Sequence, residues 1–189
     1  GKLVWEYVCC DATRCQHHEA KFLPNGHLLL IAWEMKSGEE TFKVGRDSKA
    51  LESDQFWPDM LLEIEPTRPS GGKAVWEWHA WDHLIQSSDG AKPNYGKVAE
   101  HPERIDINAD RPQPKSADER KKEDEHLRQI GYAADGPAAK GPGGRGPGGP
   151  GGHGHGGDWM HANSVSYDAK LDLVLLSVHD FSEVWVIDH

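Results

Sequence analysis

The sequence predicts an all-β chain, read as a β-propeller fragment of two four-stranded antiparallel blades with a long, partly helical and Gly/Pro-rich insertion. Three observations carry this prediction. Gly1-Lys2-Leu3-Val4-Trp5-Glu6-Tyr7 recurs as Gly72-Lys73-Ala74-Val75-Trp76-Glu77-Trp78. After each copy comes the same series: a histidine-bearing segment, a turn, an apolar strand and a closing strand. The strands are short and rich in Val, Ile, Leu and Trp, which suits antiparallel sheet.

The elements follow in order. The histidine-bearing segments are Gln16-His17-His18-Glu19 and Trp159-Met160-His161-Ala162-Asn163. The first leads to Leu23-Pro24-Asn25-Gly26, a strong hairpin signal, and the second to the weaker Tyr167-Asp168-Ala169-Lys170. Next come Leu28 to Trp33 and Leu173 to Val178, whose continuous apolar runs suit a sheet covered on both faces. The units close on Leu61-Leu62-Glu63-Ile64-Glu65 and Val184-Trp185-Val186-Ile187-Asp188. A β-sandwich would use similar strands, but it does not require the same strand order twice. The expected division is a first blade over 1–71 and a second over 72–189. The first carries a helical or loop insertion at about 37–59, the second an insertion at about 85–157.

In the larger insertion, Ser116-Ala117-Asp118-Glu119 fits a capping box and starts a charged helix running to about Ile130. The tract 136–157 is Gly/Pro-rich and is expected to be disordered. Two blades cannot close a ring, and the chain opens and stops on strand-like segments. It therefore reads as a piece of a longer protein whose remaining blades are its partners.

Composition excludes several functions. The formal net charge is -10 and no dense Lys/Arg run occurs, which argues against a nucleic-acid surface. No apolar stretch reaches the roughly 20 residues of a membrane helix. No Walker loop, Rossmann fingerprint, GxSxG elbow or HExxH helix is present, so no cofactor is expected. Cys9, Cys10 and Cys15 are an odd set, leaving open one local disulfide with a spare thiol or three unpaired cysteines. Their spacing to His17 and His18 matches no zinc knuckle, and His153 and His155 sit in a glycine tract that fixes no geometry; no metal is expected.

The candidate chemistry lies in the repeat. His18 and His161 occupy matching places before the turn of each unit, where strands of successive blades converge on one channel. Strand alternation places Asn163 on the same side as His161. Histidine and amide together bind and polarise an anionic oxygen. In Trp76-Glu77-Trp78-His79, alternation sets the two tryptophans on one face, where they serve blade packing. Asp82-His83 follows, either orienting a channel loop or ending the strand.

These residues together resemble the bacterial arylsulfotransferase family. The resemblance rests on His17-His18-Glu19 before Leu23-Pro24-Asn25-Gly26, on Val75-Trp76-Glu77-Trp78, on Asp82-His83-Leu84 and on Ser182-Glu183-Val184-Trp185-Val186-Ile187-Asp188. Its most specific element is Asp158-Trp159-Met160-His161-Ala162-Asn163-Ser164-Val165. The resemblance implies a six-bladed propeller that is periplasmic or extracellular. It implies transfer of a sulfuryl group from a phenolic sulfate ester to a phenol through a sulfated histidine, without phosphoadenosine phosphosulfate. The implied partners are an aryl sulfate donor and a phenolic acceptor.

By the same resemblance His161 and Asn163 match the family's His-x-Asn pair, and His18 matches the histidine before the Pro-Asn-Gly turn. These three are the expected catalytic residues, with His17, His83 and His179 expected to bind substrate. His179 stands where the family carries arginine, and a neutral imidazole holds sulfate less well than a guanidinium. The nucleophilic histidine is expected in a later blade. The competing reading is a non-catalytic propeller that binds a protein or glycan.

Overall fold

The computed structural model describes residues 1–50, 54–109 and 157–189. In chain order its strands are β1 (Arg14–Phe22), β2 (Leu28–Glu34), β3 (Lys36–Ser37), β4 (Gln55–Phe56), β5 (Asp59–Pro66), β6 (Gly72–His79), β7 (Leu84–Ile85), β8 (Ile105–Asp106), β9 (Ala162–Asp168), β10 (Leu173–Val178) and β11 (Glu183–Asp188). A single short α-helix, α1 (Gly38–Lys43), and three 3-10 turns lie among the described residues. The protein is all-β.

Two antiparallel sheets organise it. The first has the order β1-β2-β5-β6 and the second the order β11-β10-β9. The β1–β2 hairpin turns where the Pro-Asn-Gly signal lies. Gly26 has φ of +84°, a conformation that favours glycine, and its N–H donates to the Leu23 carbonyl at 2.9 Å. The β9–β10 hairpin is tied by the Asp168 carboxylate, which accepts the N–H groups of Lys170 and Leu171.

The sheets are offset by one strand from the sequence repeat. Gly72–His79 does not open the second sheet; it pairs with β5, from Pro66↔Gly72 to Met60↔His79, and completes the first. The second sheet therefore has three strands among the described residues, where four were expected. A short hairpin closes the β5–β6 pair at small entropic cost, whereas β9 lies far along the chain. Gly1 to Tyr7, the earlier copy, forms no strand and touches the first sheet's far hairpin through a Glu6↔Ser70 bridge.

β2 and β5 are covered on both faces, as their continuous apolar runs require. Leu29, Ile31 and Leu61 face a cluster shared with Val165, Val174, Leu176 and Ile187 of the second sheet. Leu30, Ala32, Met60, Leu62 and Ile64 face the opposite way, under Tyr7 and Cys9. Trp76 and Trp78 pack against the shared cluster, and Trp78 meets Trp185 edge-on at 6.1 Å.

The segments outside the repeat pack on this frame. α1 begins with a capping box, Ser37 with Glu40. The expected insertion from about 85 is ordered through its first part: Ile85 is buried, and Ile105 and Ile107 enter the shared core. Buried Arg46 donates to the Ile107 carbonyl at 2.6 Å, and the Asn108 side chain accepts the Asp47 N–H at 2.8 Å. The expected helix from Ser116 and the glycine tract, Gly157 excepted, lie outside the described residues. Cys10 and Cys15 form a disulfide, and the Cys9 thiol is free and buried.

Two-sided burial makes a direct prediction. Leu61→Ala and Leu62→Ala empty opposite faces of β5, and each should cost about 2–5 kcal/mol. Urea unfolding of the two variants measures it; a loss confined to one would show that one face is poorly covered.

Candidate functional site

The site is built where β1 faces the start of β9. Opposite the single residue Ile31 of β2, β1 places His17, His18 and Glu19, because pairing jumps from Gln16↔Ala32 to Ala20↔Leu30. Such a bulge releases the chain from the ladder and re-aims its side chains. His18 takes φ of +51° there and is exposed. His161, just before β9, takes the same φ of +51°. Left-handed backbone at a residue with a side chain costs energy and persists only where the surroundings hold it. The two rings meet edge to face, their centroids 4.6 Å apart.

Each ring has carboxylate support. For His161 the support is direct: Nδ1 lies 2.5 Å from Asp158 Oδ2. Asp158 is held in turn by the Trp33 indole N–H, which donates to its Oδ1 at 3.2 Å. The chain reaches Asp158 across Trp57, whose N–H donates to the Gly157 carbonyl at 2.7 Å. A Cβ on Gly157 would stand 3.1 Å from the Gln55 carbonyl oxygen and 3.2 Å from the Trp57 ring, so a larger residue needs both to give way.

For His18 the support passes through His17. His17 is interior, stacked on Trp33 with 4.0 Å between centroids. Its Nδ1 lies 2.9 Å from His18 Nδ1, and its Nε2 lies 2.8 Å from Asp59 Oδ1. Asp59 is fully buried, and its other oxygen accepts the Ala162 N–H at 2.8 Å. Glu19 likewise accepts the Val165 N–H, at 2.7 Å. Two carboxylates of the first sheet thus occupy N–H groups on the edge of the second.

Burial pushes the Asp59 carboxyl above the ordinary aspartate range, against the pull of the His17 and Ala162 hydrogen bonds. Partial burial lowers the affinity of His161 for its proton. The hydrogen bond from Asp158 and the charges of Asp158, Asp180 and Asp59 outweigh it, so the net direction is upward.

Four of the expected residues come together: His17, His18, His161 and His179. The His179 ring lies 5.7 Å from the His161 ring, the His179 backbone N–H donates to the His161 carbonyl at 3.3 Å, and His179 Nδ1 meets Asp180 at 2.6 Å. The alternation that would set Asn163 beside His161 does not hold here. His161 precedes the strand in left-handed backbone. Asn163 is itself the extra residue between the Val178↔Ala162 and Ser177↔Ser164 pairs. His83 lies apart, stacked on Trp78 at 5.1 Å, and burial pushes its pKa down. A cavity of about 350 Å³ lined by Trp81, Leu84, Tyr95, His101 and Arg104, among others, includes none of the six expected residues. His18 and His179 are exposed, His161 is half-buried and His17 is buried. Sequence reasoning missed Asp59, Trp33 and the role of Asp158; a lone carboxylate opening the apolar run Asp59-Met60-Leu61-Leu62 was the available signal for the first.

An all-β protein that sets histidines of two sheets against each other, each ring backed by a carboxylate, is the class the fold and site define. The family model Arylsulfotransferase (ASST) matches residues 1–189. The chain belongs to the arylsulfotransferase family. Comparison with curated proteins and with solved structures gave no match.

The Asp158–His161 pair predicts a pH effect on stability. A histidine pKa raised by folding stabilises fully below the ordinary value of 6.5 and loses that contribution as pH rises through the folded value. Melting temperature should therefore fall between about pH 6 and pH 9 by more in the wild type than in Asp158→Asn. Equal falls in the two proteins would remove the pair as the cause.

Proposed function

We propose that this chain is a segment of an arylsulfotransferase-type β-propeller that moves a sulfuryl group from a phenolic sulfate ester to a phenol through a histidine. One observation carries the proposal: His18 and His161, from equivalent places in the repeat and with the same left-handed φ of +51°, converge to 4.6 Å across two sheets. Membership of the family supports it.

The chemistry is a double displacement. In the first half the S–O bond of the donor ester breaks, an S–N bond forms on a histidine, and the phenolate departs with a proton from the site. In the second half the acceptor oxygen attacks sulfur, the S–N bond breaks, and the acceptor's phenolic proton passes to a base. His161, with Nδ1 committed to Asp158, turns Nε2 to an oxygen of the sulfuryl group or the leaving phenolate. Asn163 and His179 add donors around the same anion, and His18 faces it from the first sheet. The nucleophile is assigned to none of these. No nucleotide donor enters the scheme. A periplasmic or extracellular setting fits the Cys10–Cys15 disulfide.

The test is transfer from 4-nitrophenyl sulfate to a phenol by purified protein carrying this chain in its full polypeptide. His161→Ala should lower kcat by about 10²–10³-fold, the usual loss when one oxyanion donor is removed. Full activity in that variant would overturn the role of His161. A folded wild type without transfer would favour a propeller that only binds.

A further inference from the structure

We propose that the cavity of about 350 Å³ beside β7 binds a free aromatic α-amino acid. The inference does not rest on the sulfuryl-transfer reading. It gives a place to Asp82, which from sequence either orients a loop or ends a strand.

The cavity lies between a 3-10 turn, Ala80–His83, and the ordered part of the insertion that follows β7. Fully buried Gln86 organises that part. Its side-chain oxygen accepts the N–H groups of Ser88 and Asp89, each at 2.8 Å, and its Nε2 donates to the Asp89 carbonyl at 2.9 Å. Its backbone N–H donates to the Asn94 carbonyl at 3.2 Å, and its carbonyl accepts the Gly96 N–H at 2.9 Å. The Asn94 side chain donates to the Val44 carbonyl at 2.9 Å, which ties the loop to the end of α1. The walls are thus fixed before a ligand arrives, which spares binding the cost of ordering them.

The lining defines the ligand. Leu84 and Ile85 supply an apolar surface, and Trp81 and Tyr95 supply rings, so the body of the ligand is flat and apolar. Trp81 is held by Phe56, 6.4 Å between centroids, and by Lys36 Nζ, 5.0 Å from its own. Tyr95 is exposed, a ring left for a ligand to cover. Ligand cavities run from roughly 300 to 1,000 Å³, so this one suits a single ring with a short polar head.

The head carries both charges. Asp82 and Arg104 line the cavity, and neither side chain pairs with another side chain among the described residues. Arg104 Nη1 lies 3.5 Å from the Asp82 carbonyl oxygen, which sets the two residues next to each other. His101, also in the lining, is engaged by Glu103 at 3.0 Å. An aromatic acid would meet Arg104 and be repelled by Asp82; an aromatic amine would meet the reverse. A zwitterion presents carboxylate to guanidinium and ammonium to carboxylate at once. A residue inside a peptide has neither charge, which leaves the free amino acid.

Isothermal titration calorimetry with L-phenylalanine, on the full polypeptide that carries this chain, tests the site. The analogue 2-phenylethylamine lacks the carboxylate, and 3-phenylpropanoate lacks the ammonium. Each should bind about tenfold more weakly than L-phenylalanine, the loss of one charge-assisted contact. Arg104→Gln should weaken L-phenylalanine by the same factor and should not weaken 2-phenylethylamine. Asp82→Asn should weaken L-phenylalanine likewise and should not weaken 3-phenylpropanoate. Both residues are exposed, so the substitutions leave the core intact. A folded wild type that does not bind L-phenylalanine, or that binds N-acetyl-L-phenylalaninamide or either analogue as tightly, overturns the proposal, and this needs no variant. Equal weakening of all three ligands in folded Arg104→Gln overturns it as well. Binding of the expected pattern by a protein inactive in transfer would uphold the site and sink only the sulfuryl-transfer reading.

Discussion

Asp59 is a buried carboxylate at the first position of β5, and each of its oxygens holds a different part of the molecule. One faces the ring of His17 on β1; the other accepts the first N–H of β9. Burying that charge is expensive, which is why its carboxyl is pushed above the usual range. The cost is offset only while both partners stay in place. A shift of β9 along the seam would strand either the carboxylate or the Ala162 N–H, and an unmet buried polar group costs roughly 1–3 kcal/mol. The hydrophobic cluster shared by the sheets supplies adhesion without direction. Asp59, with Glu19 beside it, supplies register.

Register matters because the two central histidines are in costly backbone conformations. At His18 the bulge opposite Ile31 gives the chain freedom, and at His161 the approach over Trp57 does. Neither feature by itself selects the left-handed well. The side-chain partners do: His18 is held through His17, His161 through Asp158, and both supports converge on Trp33, which stacks on one and donates to the other. Strain at both histidines is thus stabilised by one buried indole and two carboxylates. This is the arrangement expected where geometry is kept for chemistry.

Much of the frame was legible in the sequence, for reasons that are local. Apolar runs of strand length and the Pro-Asn-Gly turn give strand positions to within a residue or two. The repeat gives the equivalence of His18 and His161. What a repeat lacks is phase. It cannot say whether Gly72–His79 ends one sheet or begins the next, and the short hairpin to β5 decides that. The same limit affected the site. Strand alternation assumes a regular ladder, and Asn163 occupies the one irregular place in β9. His83 is close in sequence to the tryptophan-rich strand, and it stacks there, away from the seam. Asp59 lies 42 residues from the ring it holds, beyond an insertion, so only tertiary structure joins them.

The two histidine supports also differ in kind, and the difference bears on the proposed chemistry. His161 has its carboxylate at first hand, and the net effect raises its affinity for a proton. His18 is one imidazole further from its carboxylate, which it meets through His17. Double displacement on a phenolic ester needs two functions in adjacent positions: a donor for the departing phenolate and an acceptor for the incoming phenol's proton. Two identical dyads would supply one function twice. Two rings 4.6 Å apart thus have different supports, one a direct carboxylate and the other a carboxylate reached through a second imidazole.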